Sequence, residues 1–197
     1  MKQVVIVNTG IANTASLISG FERLEAHASL SFDPEVILNA SFVVLPGVSA
    51  FGACMEEITK KDLVDSLRDR IKKEKPILCV CAGLQLLFEK SEESPGVKGL
   101  SIFAGHVKRF PTSVKAPQLG WNEIEAAPEC KFLKSGYVYF ANSYCVSSAP
   151  AGFAAARADY GIKFIAGFEK GNLLACQFHP ELSGPLGLEI IKAWLRQ

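Results

Sequence analysis

Nothing in this 197-residue chain approaches the roughly 18 consecutive apolar residues of a membrane-spanning helix, so none is expected. Runs of lysine or arginine are also missing, and 21 basic residues against 20 acidic ones leave a net charge of +1. That disfavours a nucleic-acid face built on phosphate neutralisation; a small neutral substrate or a protein partner fits better. The densest basic segment, residues 68–75, lies in an amphipathic stretch and reads as a solvated helix face. No export signal is visible, because MKQVVIVNTG holds only a short apolar run and reads as a strand. A cytoplasmic setting is expected, with Cys54, Cys79, Cys81, Cys130, Cys145 and Cys176 as reduced thiols, most of them buried. No CxxC pair has a matching His or Cys partner, so no structural zinc site is expected. Repeats, linkers and low-complexity segments are lacking too, which fits one domain over residues 1–197.

What is there alternates strand and helix. Residues 4–7 and 42–45 are β-branched, buried-strand runs, the second stopped by Pro46–Gly47. Leu17, Ile18, Phe21 and Leu24 recur at helical spacing, and Asp33 before Pro34 is an N-cap with proline at the first helical position. Residues 63–73 predict a helix with Leu63, Leu67 and Ile71 on one stripe. Residues 76–80 predict a strand running straight into a helix over 83–90. The second half is richer in strands, over 137–140, 153–158, 163–169 and 173–178, before a last helix over 186–195. The order predicts an α/β fold: a mainly parallel sheet flanked by helices, with a late antiparallel portion.

Three segments carry chemistry. In Cys79–Val80–Cys81–Ala82–Gly83 a buried strand meets a cysteine, with glycine two residues on at a helix start. This is the layout of a nucleophile elbow with cysteine in place of serine. The turn exposes the side chain at the carboxyl end of the sheet, and the helix N-terminus favours a thiolate. Cys79 competes for the role, but the glycine spacing selects Cys81; a buried core cysteine is the plain alternative. In Gln177–Phe178–His179–Pro180–Glu181 a histidine at a strand end can act as general base, with a carboxylate two residues on to orient it. Of the three histidines, His27 reads as a surface residue at the end of a helical segment and His106 lacks a matching acid. The loop of residues 45–52, LPGVSAFG, can aim backbone N–H groups at an oxyanion, although alone it reads as an ordinary βα turn.

Together these segments resemble the triad-type class I glutamine amidotransferases, with their flavodoxin-like α/β fold. More closely they resemble the glutaminase subunits of imidazole glycerol phosphate synthases. The resemblance spans essentially the whole chain, through NTG–IAN, PGVSAFG, CVCAGLQLLFEK, PQLGWN, YFANSY and QFHPELSGPLGLEIIKAWL. It implies that Cys81 attacks glutamine, His179 is the acid and base, and Glu181 orients His179. It implies Val48 and Ala82 as oxyanion donors, and Gln85, Ser143 and Tyr144 as glutamine contacts. Asn13, Trp121 and Asn122 fall where that family meets its partner, a (β/α)₈-barrel cyclase in a heterodimer that receives the ammonia for histidine biosynthesis. No cofactor is implied. The segment holding Trp121 and Asn122 is expected in a loop. Ser49, Asn142, Ala82 and Cys79 depart from the usual residues, which keeps open a paralogous glutaminase serving another synthase, such as one that amidates sugars for surface glycans. The glutaminase of pyridoxal phosphate synthase shares CAGL but has PGGES where this chain has PGVSA. Cysteine proteases of similar architecture place histidine close after the elbow, where this chain has Ala82.

Overall fold

The computed structural model describes residues 1–10, 14–47 and 49–197. Asn13 and Val48, expected at the partner interface and in the oxyanion hole, lie outside the described residues. Among the described residues, twelve strands run in chain order: β1 Gln3–Val7, β2 His27–Ser31, β3 Phe42–Leu45, β4 Ile77–Val80, β5 Phe88–Ser91, β6 Phe103–Arg109, β7 Gln118–Ala126, β8 Gly136–Asn142, β9 Tyr144–Cys145, β10 Ala154–Asp159, β11 Lys163–Lys170 and β12 Leu173–Cys176. The helices are α1 Ala15–Glu22, α2 Pro34–Asn39, α3 Phe51–Lys60, α4 Leu63–Lys72, α5 Ala82–Gln85 and α6 Gly184–Leu195.

A nine-stranded sheet in the order β2-β1-β3-β4-β12-β11-β10-β7-β8 forms the frame. It is parallel from β2 to β12 and antiparallel beyond, as the strand pattern predicts. Side chains alternate across it because the strand period is two. Val4, Ile6, Val44, Leu78 and Val80 face one cluster with Phe21 of α1 and Ile190 and Trp194 of α6. Val5, Val7, Val43, Leu45, Ile77 and Cys79 face the other, with Ile58 of α3 and Leu63 and Leu67 of α4. Burying each strand on both faces explains why these segments read as unbroken apolar runs. Asp33 caps α2 as expected, its Oδ1 accepting from Glu35 N–H at 2.9 Å. None of the helices among the described residues is long and apolar enough to cross a membrane.

The structure corrects four readings. The helix expected over 83–90 is one turn, α5. Leu86 and Leu87 instead give their carbonyls to Leu100 and Ile102 N–H groups at 2.7 and 2.9 Å, and Phe88 enters β5. Long-range pairing outcompetes helix propensity there. The segment of Trp121 and Asn122 is not a loop but part of β7, paired with β8 from Gln118↔Asn142 to Ile124↔Gly136. Gly120 keeps the ladder at φ +128°, so its turn-like composition misleads. His27 opens β2 rather than ending a helix. Arg70, placed on a solvated face, has no exposed surface. It falls one turn beyond Leu67 on the buried stripe of α4.

Candidate active site

The site lies where β4, β12 and β8 end. Cys81 follows β4 directly at φ 54°, ψ −113°. Its N–H still bonds the Cys176 carbonyl at 2.7 Å, so the strand pairing continues up to Cys81 before the chain turns sharply into α5. Two glycines make the turn possible. A Cβ on Gly83 would lie 2.1 Å from the Leu45 carbonyl oxygen, and one on Gly47 would lie 2.5 Å from the Ala82 Cβ. Only hydrogen fits at either position.

Cys81 opens on a cavity of about 480 Å³ that Gln85, Ser143, Tyr144 and His179 also line. A larger cleft, about 610 Å³, lies over β10 and β11 near Lys131, Arg157 and Lys170, and it holds neither cysteine nor histidine. Cys79, the competing thiol, is fully buried in β4, where desolvation pushes its pKa far up. Cys54 is buried beside the site and pushed up to about 11, chiefly by desolvation.

His179 sits after β12 and begins the 3-10 turn Pro180–Leu182. Its Nδ1 faces Glu181 Oε1 at 2.9 Å, and both residues are buried. Burial works against the imidazolium. Hydrogen bonds and charge from Cys81 and Glu181 overcome it and hold His179 well above its ordinary range. The ring presents Nδ1 to Glu181, and Cys81 is close enough to act on its charge.

Gln85 is buried and donates Nε2–H to the Tyr144 carbonyl and to Gln177 Oε1, both at 3.0 Å. Ala82 N–H, one expected oxyanion donor, is engaged by the Gly47 carbonyl at 3.2 Å. Two residues that the sequence reading left out join the site. Glu93 lines the cavity, and its Oε2 accepts from Phe51 N–H at 2.6 Å, at the start of α3. Gln177 Nε2 lies 3.7 Å from Cys81 Sγ.

The sequence pattern described as Glutamine amidotransferase class-I matches residues 5–197. The chain belongs to this family. Among its class I relatives, imidazole glycerol phosphate synthase subunit HisH of Syntrophotalea carbinolica is 41% identical, over 96% of this chain and 97% of that protein. The HisH subunit of Archaeoglobus fulgidus is 40% identical, over 96% and 95%. A crystal structure titled as a glutamine amidotransferase superposes with a TM-score of 0.78 at 17% identity, covering 98% of this chain and 97% of its own. The Thermotoga maritima PurLQS structure gives 0.72 at 15%, covering 99% and 98%. At such identities the two structures speak for the class I fold alone.

The interface candidates fall on different surfaces. Trp121 is 57% exposed and packs edge-on to Tyr139, which lines the cavity. Asn122 points to the opposite face of β7 and donates Nδ2–H to the Asp159 carbonyl at 2.8 Å.

Proposed function

We propose that this chain is the glutaminase subunit of an imidazole glycerol phosphate synthase, with Cys81, His179 and Glu181 as its triad. The observation that carries the triad is the convergence, in one cavity, of a cysteine on a left-handed elbow with a histidine 2.9 Å from a buried carboxylate. The names and coverage of the relatives support the synthase.

Cys81 Sγ attacks the side-chain carbonyl carbon of glutamine. His179 gives its proton to the departing nitrogen, and ammonia leaves a thioester on Cys81. His179 then takes a proton from water, which attacks the thioester and frees glutamate. Glu181 keeps the ring in the needed tautomer. Gln85, Ser143 and Tyr144 hold the substrate, and the Glu93 carboxylate beside them answers its α-ammonium group. Ala82 N–H, with the expected Val48 N–H, receives the oxyanion. Because the Gly47 carbonyl occupies Ala82 N–H, the hole needs that carbonyl to turn away. One missing oxyanion donor costs roughly 10²–10³ in rate. Turnover by the isolated subunit is therefore expected to be low and to rise when the synthase partner binds its acceptor. Equal rates with and without partner and acceptor exclude this gate.

A (β/α)₈ cyclase is the proposed partner. Leu119, Trp121 and Tyr137 are exposed, and Trp121 and Tyr137 stand near Tyr139 at the cavity mouth. A partner seated there receives ammonia directly. Cys81→Ala is expected to abolish glutamine hydrolysis by many orders of magnitude, while free ammonium still supports synthesis by the complex. Glutaminase activity retained in Cys81→Ala and lost in Cys79→Ala refutes the assignment.

A further inference from the structure

We propose that Gln177 is a catalytic residue of this site, donating a side-chain N–H to the Cys81 sulfur and holding it as a thiolate aimed at the substrate carbon. The inference rests on Cys81 being the nucleophile.

Which end of an amide is nitrogen must be assigned from its partners, and here the partners decide it. Gln85 Nε2 lies 3.0 Å from the Tyr144 carbonyl oxygen, which can only accept. That end of Gln85 is therefore the NH₂. The same nitrogen lies 3.0 Å from the Gln177 side chain, whose facing atom must then be oxygen. The NH₂ of Gln177 is left facing Cys81 Sγ at 3.7 Å, a usual distance for a bond to the larger sulfur atom. Gln177 has no exposed surface, so water does not compete for its N–H. Its backbone is held as well, through Gln177 N–H to the Ala166 carbonyl at 2.8 Å.

The contact fills a need. With α5 reduced to a single turn, little macrodipole reaches the sulfur. A thiolate at this elbow depends on local donors, and hydrogen bonds to charged groups are the strong ones. His179 supplies one donor, but its proton is spent on the leaving nitrogen during the reaction. Gln177 supplies one that is never transferred. Because Gln85 lines the cavity and fixes the Gln177 amide, a substrate that shifts Gln85 also acts on the nucleophile.

The test uses the full chain and two substitutions. Gln177→Glu keeps the shape and an oxygen for Gln85, but sets a carboxylate oxygen against the sulfur. Gln177→Met removes both polar contacts. The readouts are the rate of Cys81 alkylation by iodoacetamide across pH, followed on the Cys81 peptide by mass spectrometry, and kcat and KM for glutamine. Gln177→Met is expected to alkylate about 10-fold more slowly near neutral pH, with the acid limb of its profile moved up by about one pH unit. Gln177→Glu is expected to move it further, and in both kcat falls more than KM changes. A purely structural role lowers the melting temperature without moving the pH limb. Folded variants with the wild-type profile overturn the proposal. If neither folds, Gln85→Met decides, because it keeps Gln177 but frees its amide: a smaller upward displacement is expected, and an unmoved limb overturns the proposal. Glutaminase activity surviving in Cys81→Ala sinks the triad reading instead, so the two failures are told apart.

Discussion

His179 and Glu181 are two residues apart in sequence and share one buried hydrogen bond. Burial alone would drive His179 toward neutrality. Its hydrogen bonds and charge interactions with Cys81 and Glu181 carry it from 6.5 to about 10. A raised folded-state value means that the stabilisation is fully present below the unfolded value and is lost as pH rises through the folded one. Glu181→Gln is therefore expected to cost about 2 kcal/mol near pH 6. The melting-temperature gap to wild type should close toward about pH 10; a gap that stays constant with pH refutes this account. Cys81, His179 and Glu181 are legible in sequence because elbow and strand-end geometry impose fixed short spacings. Glu93 was not legible. It reaches the cavity from the segment after β5, and no local pattern marks it. Gln177 stood inside a motif already singled out, but its contact with the sulfur depends on Gln85, 92 positions away.

The buried guanidinium of α4 acts as a clamp between elements. Arg70 Nη1 donates to the carbonyls of Ile37 at 2.9 Å and Ala40 at 2.8 Å, at the end of α2. Its Nη2 donates to Ser41 at 3.2 Å and Pro76 at 2.6 Å, beside the starts of β3 and β4. Helix ends leave carbonyls without intrahelical partners, and here one side chain serves them. Desolvation lowers Arg70 to about 10, which still leaves it charged at neutral pH. Arg70→Met is expected to cost about 3 kcal/mol, because the carbonyls remain buried without donors. The melting temperature should fall by roughly 6–12 °C in a thermal scan, and a shift under about 2 °C refutes the clamp. Strands with two buried faces, such as β1, β3 and β4, were legible as apolar runs. Helix α3 carries Phe51, Cys54, Met55 and Ile58 at helical spacing and went unread behind the glycine-rich loop before it. The one-turn α5 and the strand β7 were illegible for another reason. Pairing with distant segments decided them.

At the scale of the whole molecule, β3 and β4 are buried on both faces of the sheet, while β7 and β8 carry exposed apolar side chains near the cavity that Cys81 opens on. Trp121 and Tyr137 are 57% and 60% exposed there. An exposed tryptophan beside a product exit is a strong anchor for a partner. Trp121→Ala is expected to weaken association with the proposed cyclase partner by roughly 30-fold, as titration calorimetry would measure. Unchanged affinity removes this surface as the dock. The Gly47 carbonyl resting on Ala82 N–H also bears on inhibition. Under the proposed gate, a compound that mimics the tetrahedral adduct must evict that carbonyl before its own oxygen is welcomed. Screened against the lone subunit it will look weak, and against the working complex it will look potent. The ratio of its two affinities measures how far the complex has opened the hole. A ground-state glutamine mimic, which presents no oxyanion, should show a much smaller ratio.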